Sequence, residues 1–355
     1  MDVAAIVDPR LDQAQALADE FGVDRAEADY KTVLADPSIH AIHVCTPNVV
    51  HFEIAAAGLA AGKNVLCEKP LAMTSEEAAE LVKRAAASGL RNCTCHNLRY
   101  YPMVQQMRRM RESGELGEIL IAQGTYSQDW LMFETDWNWR VQSKEAGALR
   151  AMGDIGSHWC DTVEHVTGLR ISSLCADLAT FHKTRKRPAQ VTEAFETANA
   201  AEFVNEPVNT EDFAAVLLHF GERARGAFTV SQVSGGCKNR LSVEIYGTKA
   251  SVIWNAERPD ELWVGRREVP NQLMLKDPSL LDRSAAKFAD LPGGHGEGYG
   301  DTFKQVFKRF YRSILDPKAP AEYPQFADGL RVMQLLETSL ASHQKRGWVD
   351  VRSGA

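Results

Sequence analysis

The sequence contains no apolar run long enough to cross a bilayer, and its opening Met1-Asp2-Val3 shows neither the basic nor the apolar stretch of a secretory signal. No membrane partner is expected, and the expected location is the cytoplasm. Paired cysteines are lacking too. Seven stand at 45, 67, 93, 95, 160, 175 and 237, an odd number with no C-x-x-C spacing, which argues against a disulfide or zinc framework and leaves no metal to expect. Cys93 and Cys95 alternate in a strand-like stretch, where buried free thiols are the default. Clustered basic charge is scarce: 40 Lys and Arg against 47 Asp and Glu give a net charge of -7, and the one basic cluster, residues 183–187, reads as a solvated loop. Nucleic acid is therefore not an expected partner. Repeats and low-complexity linkers are absent. What is present, 45% hydrophobic and 25% charged residues in a chain of 355, is the composition of a soluble globular protein with room for two domains.

Residues 1–96 alternate short apolar runs with helical patterns. Strands are expected at 3–7, 41–45, 64–67 and 91–95, and helices at 11–21, 51–61 and from 74 or 75 to about 88, with Thr74 or Ser75 capping and acids in the first turn. Such alternation predicts right-handed crossovers and a parallel, doubly wound, Rossmann-like sheet. From residue 97 the pattern changes. After a helix over 102–113, longer strands follow at 119–127, 171–181, 213–220, 224–233, 241–246 and 251–255. Gly221-Glu222-Arg223 and Gly247-Thr248-Lys249 are hairpin-type connections. The expectation for 97–355 is a large open, mainly antiparallel sheet, with helices at 157–166, 299–315 and 325–343 covering one face and the last one packing back on the first domain.

Within that frame the stretch Asn64-Val65-Leu66-Cys67-Glu68-Lys69-Pro70 is a buried strand that Pro70 ends, so Glu68 and Lys69 stand at a carboxyl strand end. Ligands of open parallel sheets bind there. Asp8 ends an earlier strand, where an acid hydrogen-bonds the adenosine ribose hydroxyls of a dinucleotide and favours NAD; Arg10, two residues on, keeps NADP open. Asp154 and His158 are four residues apart at a helix start, a spacing that puts both on one face if helical geometry already holds, with an imidazole that titrates near neutrality. Trp137-Asn138-Trp139-Arg140 offers aromatic planes for a sugar ring and a guanidinium for phosphate. His295 lies in a loop with four glycines over residues 293–298, where it could touch a substrate or stand free on the surface.

Taken together these residues resemble the glucose-fructose oxidoreductase / inositol dehydrogenase / rhizopine catabolism (Gfo/Idh/MocA) family. The pieces are Val44-Cys45-Thr46-Pro47-Asn48 with His51, Cys67-Glu68-Lys69-Pro70-Leu71-Ala72, Trp139-Arg140, Gly153-Asp154-Ile155-Gly156-Ser157-His158 and Glu244-Ile245-Tyr246-Gly247-Thr248-Lys249-Ala250, in family order across essentially the whole chain. The resemblance implies a Rossmann domain (1–96) and a substrate-binding and oligomerisation domain (97–355). It implies an NAD- or NADP-linked dehydrogenase of sugars, anhydrosugars or cyclitols, and homodimers or homotetramers built on the second sheet. Carried over, Lys69, Asp154 and His158 are the catalytic set. Thr46, Pro47, Asn48, His51, Glu68, Lys69 and Arg140 are cofactor contacts besides Asp8, and Trp139 joins the catalytic set around the substrate, where His295 is a candidate from its loop alone.

The expected chemistry is hydride transfer, with His158 as the base, Asp154 orienting it and Lys69 holding the substrate oxygen; the base role is exchangeable between His158 and Lys69. Two other readings stay open: a lyase or glycosidase that oxidises its substrate transiently with NAD, and a noncatalytic sugar-binding relative. One departure from the family is large, because the chain begins about where the family's second strand does and shows no G-x-G-x-x-G turn. The expectation is an absent upstream segment of roughly 25 to 35 residues carrying a strand and that turn. Without them, NAD binding is expected to be weak.

Overall fold

The computed structural model describes residues 2–189 and 203–352. Its first part alternates strand and helix: β1 (Ile6–Val7), α1 (Leu11–Phe21), β2 (Ala26–Glu27), α2 (Tyr30–Leu34), β3 (Ala41–Val44), α3 (His51–Ala60), β4 (Asn64–Cys67), α4 (Ser75–Ser88) and β5 (Asn92–Thr94). The cap of α4 is the expected one, Thr74 Oγ1 accepting from the Glu77 N–H at 3.2 Å. β1 pairs in parallel with β2, and β3, β4 and β5 form a second parallel sheet; among the described residues no ladder joins the two. Register brings Val44 beside Cys67 and Cys67 beside Thr94, so β3, β4 and β5 end level. Val65, Leu66 and Cys67 are buried, and the chain emerges at Glu68 and Lys69 into the cis Lys69-Pro70 bond. A buried strand thus delivers a charged pair to one rim.

The second part continues with α5 (Pro102–Glu112), β6 (Ile119–Ser127), α6 (Ser143–Ala146), α7 (Ser157–Thr167), β7 (Ser173–Ala179), β8 (Thr184–Pro188), β9 (Phe203–Pro207), β10 (Phe213–Phe220), β11 (Ala224–Ser231), β12 (Arg240–Gly247), β13 (Ser251–Asn255), β14 (Glu261–Gly265), β15 (Gln272–Leu275), α8 (Tyr299–Leu315), α9 (Phe326–Lys345) and β16 (Val349–Asp350). Nine strands make one sheet in the order β15-β14-β13-β12-β6-β11-β10-β7-β16, antiparallel throughout except for β6 beside β11. The alternation of buried and accessible residues along β10 shows one face packed and one open. α7 lies on the packed face because β6 lets it come close. A Cβ on Gly124 would stand 2.1 Å from the Ser242 carbonyl and 2.8 Å from Trp159 Nε1. With hydrogen there, Trp159 donates to that carbonyl at 3.0 Å and stacks on Phe228 at 4.2 Å. α9 packs on α4 as well as on β7, which ties the chain's end to the first part.

Three local expectations need correction. The strand expected over 3–7 is limited to Ile6–Val7. The strands β14 and β15 extend the sheet beyond the last one expected. The basic run 183–187 is not a solvated loop: Thr184–Pro188 is a strand paired with β9, and Arg185 is wholly buried. A guanidinium can be buried there because Nη1 donates to the carbonyls of Phe133 (2.8 Å) and Asp136 (3.2 Å), and Nη2 to the Leu131 carbonyl (2.9 Å) and to Asp212 Oδ1 (2.8 Å).

Candidate active site

Lys69, at the end of β4, and Asp154, in a π-helical turn over Met152–Gly156 that leads into α7, meet across the two halves of the chain. Lys69 Nζ donates to Asp154 Oδ1 and to the Asp154 carbonyl, each at 2.8 Å. Arg140 Nε stands 3.4 Å from the same Oδ1, and Gln232 Nε2 donates to Oδ2 at 2.9 Å. Burial alone would raise the Asp154 carboxyl, but the charges of Lys69 and Arg140 outweigh it and hold the group well below the ordinary carboxylate range. Asp154 is therefore a fixed anion at neutral pH. Arg140 is itself steadied, its guanidinium over the Trp139 ring at 4.5 Å and donating to Asn138 Oδ1 at 3.3 Å, with the Arg140 main-chain N–H on the same oxygen at 3.1 Å.

His158 follows one helical turn later and is buried. Burial, reinforced by the positive charge of Lys69, pushes its imidazole well below the usual value against the opposing pull of Asp154. The ring is neutral at neutral pH. The hydrogen bonds of the Asp154 carboxylate go to Lys69 and Gln232, and on His158 the carboxylate acts through its charge. Two rings flank the imidazole, His96 edge-on at 5.9 Å and Tyr126 at 6.3 Å. Tyr299, the first residue of α8, is about half exposed, 48%, and its phenol is pushed up to about 12 by partial burial and by the charges of Glu68 and Asp154.

The cofactor side is built from the loops after β3 and β4. Asn48 Nδ2 donates to the Ala146 carbonyl at 2.9 Å, and a small cavity between the loops is lined by Asn48, Lys69, Pro70, Arg140, Arg150 and Asp154. Glu68 Oε2 accepts from the Lys69 N–H at 3.1 Å. Thr46, just past the end of β3 and before Pro47, has a buried Oγ1 with no hydrogen-bond partner in the protein. A buried hydroxyl of that kind calls for an acceptor or donor from outside the chain. The polar groups of Thr46, Asn48, Glu68 and Arg140 along this rim are ones that could hold a dinucleotide. His51 differs from expectation. It is fully buried, with Nδ1 2.8 Å from the Pro70 carbonyl and Nε2 2.9 Å from the Thr46 carbonyl. Burial holds it neutral, so its single N–H serves one carbonyl at a time, and it acts by joining the two loops rather than by contact.

Asp8 and His295 are not brought into this cluster by any described contact. Asp8 follows β1 in a half-buried position, accepting from the Arg10 N–H at 2.8 Å. His295 is exposed and its ring pairs with the Gly293 carbonyl at 3.3 Å. Its loop is nevertheless anchored: the buried Lys276 donates to the His295 carbonyl (2.6 Å) and to Glu297 Oε2 (2.7 Å). Gln232, His96, Tyr126 and Tyr299 line the same cluster but form no motif in the sequence, since each stands alone and far along the chain from Lys69 or Asp154.

The chain is similar to known oxidoreductases. Residues 1–96 match the family model described as "Oxidoreductase family, NAD-binding Rossmann fold", and residues 104–253 match the GFO/IDH/MocA C-terminal domain. The levoglucosan dehydrogenase of Pseudarthrobacter phenanthrenivorans is 31% identical over 98% of this chain and 89% of that protein. A solved levoglucosan dehydrogenase in complex with NADH and L-sorbose superposes with a TM-score of 0.89 at 28% identity, covering 99% of this chain and 90% of that one. An inositol dehydrogenase homolog of Azotobacter vinelandii complexed with NAD+ gives 0.85 at 27% identity, over 99% and 90%.

Proposed function

Because the chain belongs to the Gfo/Idh/MocA family of NAD-binding oxidoreductases, we propose that it oxidises a secondary hydroxyl of a sugar, anhydrosugar or cyclitol with NAD. In this reading residues 1–96 form the cofactor-binding domain and 97–355 the substrate domain. The observation that carries the reading is the Lys69–Asp154 pair beside a neutral, buried His158, at the rim where three parallel strands end. Relatives whose names specify levoglucosan, 1,5-anhydro-D-fructose and D-glucoside substrates support the carbohydrate class.

Two of the three N–H donors of Lys69 are engaged by Asp154, which leaves one to hold a substrate oxygen. Asp154, kept anionic, fixes the direction of that donor. His158 is neutral and can accept the hydroxyl proton as the alkoxide develops. Nicotinamide, when bound, supplies the hydride acceptor. Tyr126 and Tyr299 wall the site, and Trp139 and Arg140 close it from the substrate domain. Asp8 is assigned to the adenosine ribose, which favours NAD over NADP.

The test is a panel of monosaccharides, anhydrosugars and inositols assayed for reduction of NAD and of NADP. NADH accumulating with one sugar supports the dehydrogenase. Consumption of a sugar with no net NADH would replace it with a lyase that oxidises transiently. We also propose that the open face of the nine-stranded sheet, around Ala215, Leu217, Ala227 and Thr229, is where subunits associate; a monomer by analytical ultracentrifugation would refute this.

A further inference from the structure

The turn that carries Asp154 has no side-chain cap from its own flanking residues. Its leading N–H groups are met from elsewhere, by Glu211 in the segment between β9 and β10. Glu211 Oε1 accepts from the N–H of Arg150 (3.0 Å) and of Met152 (2.8 Å), Oε2 stands 3.0 Å from the Arg150 nitrogen, and the Ala151 N–H reaches the Glu211 carbonyl at 3.4 Å. Asp212, next in the chain and fully buried, pairs with the guanidinium groups of Arg150 and Arg185. Residues 211 and 212 thus grip Arg150 by its main chain and its side chain together. The Arg150 carbonyl in turn accepts from the Asp154 N–H at 2.7 Å.

We infer that Glu211 is a positioning residue: by holding the main chain from Arg150 to Met152 it sets where the Asp154 carboxylate stands against Lys69. The inference rests on the role given to Asp154 above, yet nothing in Glu211's own contacts touches Lys69, His158 or the cofactor loops. The work is done by acceptor oxygens and not by charge. A single oxygen, Oε1, serves both Arg150 and Met152, and the protonated acid keeps that oxygen. Burial, partly offset by those N–H groups, pushes Glu211 up to about 7, so a proton is often present at neutral pH. Glu211 is only 4% exposed, so removing its oxygens leaves two buried N–H groups without partners.

The experiment compares Glu211→Gln and Glu211→Leu, with Glu211→Asp as a milder lesion if the leucine variant does not fold. Steady-state kinetics with the sugar found in the panel are paired with backbone hydrogen exchange over residues 150–156, which needs no substrate. In the leucine variant kcat should fall at least about tenfold while the sugar KM and the affinity for NAD stay within about twofold, because a small displacement at a reacting group costs rate more than binding. Exchange at Arg150, Met152 and Asp154 should quicken. The glutamine variant, which can keep Oε1 in place, should stay within about threefold of the parent in rate and in exchange. The inference is overturned by a folded leucine variant with unchanged kcat, by glutamine failing as badly as leucine, or by kcat, KM and NAD affinity declining together as general loosening would produce. Should no sugar be oxidised by any form, the proposed function fails, and the exchange comparison alone decides this inference: unchanged exchange in the leucine variant refutes it.

Discussion

Lys69 holds Asp154 twice, through the carboxylate and through the main-chain carbonyl, both at 2.8 Å. One residue ends a strand of the first domain and the other sits in a turn of the second, so a single ammonium joins the cofactor side to the substrate side. A side chain pinned at two points on one residue loses little further freedom when a substrate arrives, which is how a proton-handling group is kept ready. The pairing also explains why Asp154 lies well below the carboxylate range despite burial.

Replacing Lys69 with Met keeps the length and apolar stem and removes the ammonium. The rate should fall by roughly 10²-fold or more, the scale of losing a proton-transfer group, while NAD affinity by calorimetry changes little. A Lys69→Met enzyme turning over at close to the parent rate would remove this residue from the mechanism.

Asp154→Asn takes a negative charge away from an imidazole that burial and Lys69 already push down. Without the opposing pull of Asp154, His158 should titrate lower still, so the ascending limb of the pH–rate profile moves to lower pH and the maximal rate drops. His158→Ala should abolish that limb. Profiles of unchanged shape in both variants would make the two residues structural.

Much of this was legible in the residues. Cys67-Glu68-Lys69-Pro70 reads as a strand end because a proline follows buried aliphatics, and the structure ends β4 at Cys67. The hairpins at Gly221 and Gly247 were equally clear, since glycine supplies a turn between alternating strands. Arg185 was not legible. A basic run looks solvated until the acceptors that bury it are known, and those come from residues 131, 133, 136 and 212, distant in the chain. Gln232 and Glu211 were silent for the same reason: their partners Asp154, Arg150 and Met152 lie far off in sequence. The spacing of Asp154 and His158 put both on one face, but it gave no sign that Lys69 and Gln232 would bond the carboxylate.

Asp212 carries a stability prediction. Arg150 and Arg185 are both wholly buried, and Asp212 is the anion they share. Asp212→Ala leaves two desolvated cations without their counter-charge, a lesion worth about 3–5 kcal/mol for a broken buried pair. Urea unfolding should show the midpoint falling with the slope unchanged. A loss below about 1 kcal/mol, the scale of an exposed pair, would mean that water reaches these guanidinium groups.

The last prediction concerns pH and follows from Glu211 standing at about 7 in the folded protein against 4.5 as an ordinary side chain. A group whose folded value is raised binds its proton more tightly when folded. Its contribution to stability is fully present below the unfolded value and is lost as pH rises through the folded one. Between about pH 4.5 and pH 7 the parent should therefore lose stability on this account, because above pH 7 it holds a desolvated carboxylate. Glutamine at 211 has no proton to lose. The Tm of Glu211→Gln relative to the parent should rise as pH increases across this window, and the difference should level off above it. Asp154 cannot produce the same trend, since its lowered value confines its titration to far more acidic solution. Parallel Tm curves for parent and variant over this range would show that Glu211 is ionised throughout, with its N–H partners outweighing the burial.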